Sequence, residues 1–421
     1  MNDSDFPLSE RVRRVRLSPN AAASARAAAL AAQGRDVISL TTGEPDFDTP
    51  DAIKHAAIAA LARGETKYTP TPGTTALRQA ISTKYRRENA LDYPATQLIV
   101  SNGGKQVIYN ALAATLNTGD EVIIPAPYWP SFPDMVLVND GTPVLVPCGI
   151  ETGFKLTPAA LEAALTPRTR WLVLNTPGNP TGAVYSADEL AGLAAVLRRH
   201  PQVLVLLDEL YEHIWFTAEA PEHWLHVAPD FRERTLLVNG ASKTYAMTGW
   251  RIGWGAGPSA LIQAMVIIQS QASSGPNSVG QAALTAALES PDQSFVSAAR
   301  HAYARRAAAV VTGLSAVPGL ALQSIEGSFF AFVNCAGVLG RLRPDGTPIT
   351  SDTELTEWLL EAEGVAAVDG GAYGLSPYFR ISTAASDTVL ADAVQRIARA
   401  VAALRPADEP AASVYALETS T

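Results

Sequence analysis

Ser242-Lys243-Thr244-Tyr245-Ala246-Met247-Thr248-Gly249-Trp250-Arg251-Ile252-Gly253 sets a lysine directly after a hydroxyl residue, with an arginine further on between glycines. A lysine amine forms a Schiff base with an aldehyde. Ser242 and Arg251 suit a phosphate, and Gly249 and Gly253 would let the backbone come close to it. Together these residue types suit a pyridoxal phosphate site, where the cofactor is the electron sink and the protein supplies orientation. The stretch alone fits a solvated Lys–Ser pair equally, so the rest of the chain must supply the remaining partners.

Outward from this stretch, apolar runs at 98–101, 121–124, 143–147, 171–174, 203–207 and 235–238 read as strands. They are apolar throughout and alternate with helical stretches such as 51–63, 105–116 and 187–199. That pattern implies a buried, mostly parallel sheet covered on both faces. A short strand at 36–40 precedes the turn-rich Thr41-Thr42-Gly43-Glu44-Pro45-Asp46. From about Ser297 a long helix leads to a second alternation, with strands at 328–333 and 378–382, which reads as a smaller α+β domain. The expected fold is therefore α/β with four parts. These are an N-terminal arm with part of the small domain (1–48), a large domain (49–296), the long helix with the small domain (297–405), and a polar, proline-bearing tail (406–421) expected to be loose.

Composition narrows the class. The 421 residues are 47% apolar and 17% charged, as in ordinary globular enzymes, and are enough for two domains. A net charge of −9 argues against nucleic acid or an anionic membrane as partner. Cys148 and Cys335 are the only cysteines, too few for a disulfide framework or metal cluster. No metal is expected, and a cytoplasmic location is. Residues 1–16 are polar and then basic, without the apolar core of a signal peptide, and no run reaches membrane-spanning length.

Asp208 closes the run 203–207, and the carboxyl ends of strands are where open α/β sheets bind ligands. A buried aspartate needs a partner, and a protonated pyridine nitrogen would serve; a helix cap is the alternative. Tyr211 lies close enough to reach the same place, or is an ordinary half-buried tyrosine. In Asn175-Thr176-Pro177-Gly178-Asn179-Pro180-Thr181-Gly182, two proline-bearing turns suggest a rigid loop aiming Asn179 inward, or else a plain connection. Gly103 and Gly104 open a helix and offer N–H groups to a phosphate, with Lys105 adding charge. Trp129 could stack on a flat ring or fill a core. Arg380, in the apolar run 378–382, needs a bidentate partner: a substrate carboxylate or a structural salt bridge. No one of these residues decides; their joint order does.

With these residues in hand, the chain resembles the fold-type I pyridoxal phosphate aminotransferases, and within them the bacterial aspartate aminotransferase branch of class I. The resemblance spans about 18–404. It rests on Gly43-Glu44-Pro45-Asp46-Phe47-Asp48-Thr49-Pro50, Gly64-Glu65-Thr66-Lys67-Tyr68, Ala126-Pro127-Tyr128-Trp129, Asn179-Pro180-Thr181-Gly182 and the segment 246–253. It implies a large domain with a mostly parallel seven-stranded sheet between helices, and a homodimer with shared sites. By this likeness Lys243 carries the Schiff base and moves the proton. Asp208 pairs with the ring nitrogen, Asn179 and Tyr211 hold the 3′-oxygen, and Trp129 stacks. Gly103, Gly104, Lys105, Ser242 and Arg251 surround the phosphate, joined by Tyr68 from a neighbouring subunit. Arg380 and the Gly43 N–H take the substrate α-carboxylate, with Trp129 and Asn179 beside it. The implied reaction is ping-pong transfer of an amino group between an L-amino acid and a 2-oxo acid.

A lysine at the position of Lys105 accompanies acidic substrates in this branch, which suits aspartate and glutamate. The chain departs from its likeness at Arg16-Leu17-Ser18-Pro19-Asn20-Ala21, Thr41-Thr42, Gly178, Glu209 and Thr383, in regions expected to line the distal pocket. Those departures leave open an aromatic or specialised substrate. A related pyridoxal phosphate lyase or synthase is a further alternative, and a non-catalytic regulatory domain a remoter one.

Overall fold

The computed structural model describes residues 7–406, so nearly all of the expected tail 406–421 lies outside the described residues. The strands in chain order are β1 (Ile38–Ser39), β2 (Leu98–Ser101), β3 (Glu121–Ala126), β4 (Thr142–Pro147), β5 (Thr169–Asn175) and β6 (Leu204–Asp208). There follow β7 (Thr235–Gly240), β8 (Gly253–Ala256), β9 (Phe330–Asn334), β10 (Val365–Ala366), β11 (Val368–Asp369) and β12 (Tyr378–Ser382). Seven of them form the central sheet in the order β2-β8-β7-β6-β5-β3-β4. The strands β4, β3, β5, β6 and β7 run parallel, and β8 is antiparallel to both of its neighbours.

The apolar runs are explained by burial on both faces. In β6, Val205 and Leu207 join a cluster with Leu77, Ile81 and Leu193, while Leu206 joins one with Val107, Ile108 and Met265 on the other side. The helices Thr75–Asn89 and Ala187–Leu197 cover the first face; Gly104–Thr115 and Ser259–Ala272 cover the second. This is the period of two that strands require, made invisible in the sequence because both faces are apolar.

The strand of the central sheet that the apolar runs do not reveal is β8, Gly253-Trp254-Gly255-Ala256. Its glycines are there for space. A Cβ on Gly255 would lie 2.7 Å from Val107 Cγ1, and one on Gly253 would lie 2.4 Å from the Gly104 nitrogen. The helix Gly104–Thr115 and the loop that opens it rest directly on this strand. Gly249 is different: a Cβ there would meet nothing within 4 Å, so no neighbour within the chain itself requires glycine at this position.

A second apolar cluster, with Val333, Leu355, Phe379, Ile381 and Ile397, builds the smaller α+β part around the antiparallel sheet β11-β12-β9. The long helix, Ser294–Ser315, runs into it, and the helices Asp352–Glu363 and Asp387–Ala402 cover it. The strand expected over 36–40 shrinks to β1, because its parallel partner β10 offers only Val365 and Ala366. The N-terminal helix Pro19–Ala32 belongs with this part through Arg26, which pairs with Glu357 at 2.7 Å and Glu361 at 3.2 Å. Among the described residues no helix is long and apolar enough to cross a membrane.

Gly253→Ala should destabilise the fold by about 1–3 kcal/mol, since the added methyl meets main chain that cannot rotate away. Denaturant unfolding measures it; a midpoint equal to the parent's would contradict the contact.

Candidate active site

The carboxyl ends of β5, β6 and β7 and the facing strand β12 enclose a cavity of about 190 Å³. Gly43, Gly104, Lys105, Trp129, Asn179, Asp208, Tyr211, Ser242, Lys243, Arg251 and Arg380 line it. Thus sequence positions more than 300 residues apart meet in one place because parallel strands all end on the same edge.

Asp208 is the last residue of β6 and its carboxyl is buried. One oxygen accepts the Leu210 N–H at 3.1 Å. No helix follows for it to cap; the chain turns through 209–214 instead. Burial pushes the carboxyl up to about 7, and neighbouring Glu209 adds to the rise, against the Leu210 N–H and the nearby Lys243. Lys243 stands on the short helix Ala241–Thr244 just beyond β7. Burial brings its amine down to about 8, with Arg251 and Arg380 acting the same way and Glu44 and Asp208 opposing. Its Nζ donates to the Gly43 carbonyl.

Arg380 is almost wholly enclosed, and burial lowers its pKa from the usual guanidinium value. Its Nη1 donates to Asn179 Oδ1 at 3.2 Å and its Nη2 to the Thr41 carbonyl, while Nε has no acceptor. The rings of Phe330 and Tyr373 face the guanidinium at 4.4 and 5.0 Å. Among the described residues no carboxylate pairs with it, unlike the buried cations Arg306 and Lys84. Arg306 grips Asp46 with two bonds of 2.8 Å, and Lys84 is paired with Glu212.

At the other end of the cavity Gly103, next to the lining residue Gly104, does not itself line it; it has φ of 86°, and a Cβ on it would lie 2.3 Å from Arg251 Nη2. Bare main chain, the start of a twelve-residue helix at Gly104 and a guanidinium therefore share one corner, with Ser242 beside them. Such a corner suits a phosphate. Lys105 lies with Nζ 4.9 Å from the centre of the Trp129 ring and makes no hydrogen bond or ion pair among the described residues. Burial and Arg251 lower its pKa, while Asp134 opposes. Tyr211 packs edge-on against Phe329 and Phe330 at 5.4 and 5.8 Å.

Tyr68 stands outside this cavity. It is 97% exposed and lines a separate groove with Lys67, Asn102 and Asn277. Sequence reading gave no role to Asn175, Phe330 and Thr248, all of which line the cavity. Proximity to known motif positions was the available signal for Asn175 and Thr248; nothing local marks Phe330. Of the departures noted, Asn20 lines the cavity and Thr41 touches Arg380 through its carbonyl. Gly178, Glu209 and Thr383 do not line it: Glu209 Oε1 lies 2.7 Å from His223 Nε2, and Gly178 faces a neighbouring small cavity.

A phosphate corner, a buried carboxyl free to meet a ring nitrogen, and a lysine amine of lowered pKa fit pyridoxal phosphate as a set. The sequence pattern of the family described as aminotransferase class I and II matches residues 35–397. The chain belongs to this family. It is a pyridoxal phosphate-dependent aminotransferase with the fold-type I architecture. It is 48% identical to an aspartate aminotransferase of Rhizobium meliloti, over 95% of this chain and 97% of that one. It is 52% identical to an aspartate/prephenate aminotransferase of Cereibacter sphaeroides, over 93% and 97%. The crystal structure of the aspartate aminotransferase from Rhizobium meliloti superposes with a TM-score of 0.92 at 48% identity, covering 95% of this chain and all 100% of that one. The Thermus thermophilus aspartate aminotransferase with maleate gives 0.87 at 40% identity, covering 94% and 99%.

The raised pKa of Asp208 has a consequence for the aminotransferase freed of cofactor. The folded chain keeps a proton that the unfolded chain releases between about pH 3.8 and 7, so this group makes stability fall as pH rises through that window. Asp208→Asn should remove that fall from a series of melting temperatures. An identical pH slope in the variant would show that the carboxyl is not raised.

Proposed function

We propose that this aminotransferase moves amino groups between acidic L-amino acids, aspartate and glutamate, and 2-oxo acids in two alternating half-reactions. The observation that carries the reading is the buried Arg380, whose Nε lacks an acceptor and which no carboxylate neutralises. A substrate α-carboxylate would supply both the charge and the missing acceptor. Asn179 and the Thr41 carbonyl hold the guanidinium in place for it.

Bound pyridoxal phosphate supplies an aldehyde for the incoming amine and a ring that takes up the electron pair left at Cα. Lys243, its amine near neutrality, moves the proton at Cα. Asp208 would keep the ring nitrogen protonated, Asn179 and Tyr211 would hold the ring oxygen, and Trp129 would stack on the ring. Gly103, Gly104, Ser242 and Arg251 would hold the phosphate. Gly43 and Arg380 fix the α-carboxylate, so that the bond to be broken keeps one orientation.

Lys105 lines the cavity beside Trp129 with no carboxylate partner among the described residues, which supports a second carboxylate on the substrate. The relative bound to maleate, a dicarboxylate, is consistent with this preference. A second reading, prephenate as amino acceptor, is favoured by the Cereibacter sphaeroides relative; that oxo acid also carries two carboxylates.

We further read the chain as a homodimer acting in the cytoplasm, divided into the large domain 49–296 and the small domain 297–405 with the arm 1–48. Tyr68 at 97% exposure and Ile58 at 60% support a covering second copy, to which Tyr68 would offer its hydroxyl. The two cysteines, both free and buried, suit a reducing compartment.

Lys243→Ala should abolish both the yellow colour of the loaded protein and turnover; retained turnover would sink the assignment. Lys105→Ala should raise KM for aspartate and glutamate by roughly 10- to 100-fold, the worth of a charge-assisted hydrogen bond, and leave that for alanine unchanged. Equal losses on all three amino acids would place Lys105 at the phosphate instead.

A further inference from the structure

The cavity is lined by a half-buried amide, Asn175, to which neither the family likeness nor the proposed mechanism gives work. Asn175 is the last residue of β5 and pairs in register with Asp208, the last residue of β6. Its side chain forms a bridge with one donor and one acceptor bond. Nδ2 donates to the Asp208 carbonyl at 3.0 Å, and Oδ1 accepts the Asn179 N–H at 2.8 Å. The partners fix the orientation of the amide, since the reversed amide would set oxygen against carbonyl and N–H against N–H. Asn179 in turn accepts from Arg380 Nη1 at 3.2 Å. One continuous run of hydrogen bonds thus leads from the main chain at Asp208, through Asn175 and Asn179, to Arg380 on β12 of the smaller part.

We infer that Asn175 is a positioning residue: it fastens the Asn179 loop to the edge of the central sheet and so sets the bond by which Asn179 aims Arg380.

The rest of the loop is held independently of Asn175. The Gly178 N–H donates to the Ala183 carbonyl at 3.0 Å, and Ser328 Oγ donates to the Gly178 carbonyl at 2.9 Å. Losing the Asn175 side chain therefore frees Asn179 without releasing the whole turn. The chemistry required is narrow. A donor must face a carbonyl and an acceptor must face an N–H, across the span of one short side chain. Aspartate would set oxygen against the Asp208 carbonyl and add a charge next to a carboxyl already raised by burial. Serine is too short to reach both partners. Asparagine alone among the short side chains carries a donor and an acceptor on one rigid plane.

The inference rests on the reading of Arg380 as the carboxylate ligand, and the test separates the two. Maleate, an unreactive dicarboxylate, is titrated into the loaded parent protein and into Asn175→Ala, Asn179→Ala, Arg380→Ala and the Asn175→Ala/Asn179→Ala double variant. The perturbation of the bound cofactor's absorbance gives the dissociation constant. Asn175→Ala should weaken maleate by about three- to tenfold, the worth of one hydrogen bond, with the cofactor fully bound. The double variant should bind no more weakly than Asn179→Ala alone, because Asn175 acts only through Asn179. If Asn175→Ala does not fold, Asn175→Ser takes its place, with the same loss expected because its hydroxyl cannot span both partners. Unchanged maleate affinity in the Asn175 variant, or losses that add to those of Asn179→Ala, would overturn the positioning role. Unchanged affinity in Arg380→Ala would instead overturn the carboxylate reading itself.

Discussion

Three charged or chargeable groups, Asp208, Lys243 and Arg380, are buried around one cavity without a strong ion pair between any two of them. Such an arrangement is costly by itself, since desolvation penalises each charge and no partner offsets it. The penalty shows in the directions taken: the carboxyl rises, the amine falls and the guanidinium falls, each with burial as the largest cause. Elsewhere the protein pairs its buried cations, as Arg306 with Asp46 and Lys84 with Glu212. The site is where it leaves them open, and the partners that would complete them are a pyridinium for Asp208, an aldehyde for Lys243 and a carboxylate for Arg380.

The rest of the structure holds these groups apart yet close. Parallel strands deliver Asn175, Asp208 and the segment leading to Lys243 to the same edge, and β12 brings Arg380 across from the smaller part. The loop 41–49 runs between them. Its Thr41 carbonyl accepts from Arg380, its Gly43 carbonyl from Lys243, and Thr49 Oγ1 donates to the Ala246 carbonyl at 2.6 Å. Gly43 can be only glycine here, because a Cβ would lie 2.7 Å from the Phe330 ring. Arg306 on the long helix anchors the same loop through Asp46. Movement of the smaller part relative to the sheet would therefore be felt directly at Lys243 and Arg380.

Much of this was legible in the sequence, for physical reasons that can be named. Apolar runs such as 203–207 read correctly as buried parallel strands because both faces are covered, and the acidic residue ending that run marked the edge of the sheet. The glycine-rich β8 was not legible: its residues are chosen to admit the helix at Gly104, and that constraint lies in three dimensions. Gly249 carries no such packing constraint, since a Cβ there would meet nothing of the chain within 4 Å. Tyr68 was named from likeness alone and stands outside the cavity of its own chain. Asn175 was overlooked because its two partners, a carbonyl and an N–H of the main chain, leave no trace in residue identity.

The most direct measurement is a half-reaction screen: the loaded enzyme is mixed with single amino acids, without any oxo acid, and the bound cofactor's absorbance is followed. Aspartate and glutamate should bleach the yellow band in a saturable manner, each leaving its own 2-oxo acid in solution, and neutral amino acids should act more slowly at equal concentration. A band unchanged by every amino acid would contradict the account. So would loss of the substrate side chain in place of its conversion to the matching oxo acid.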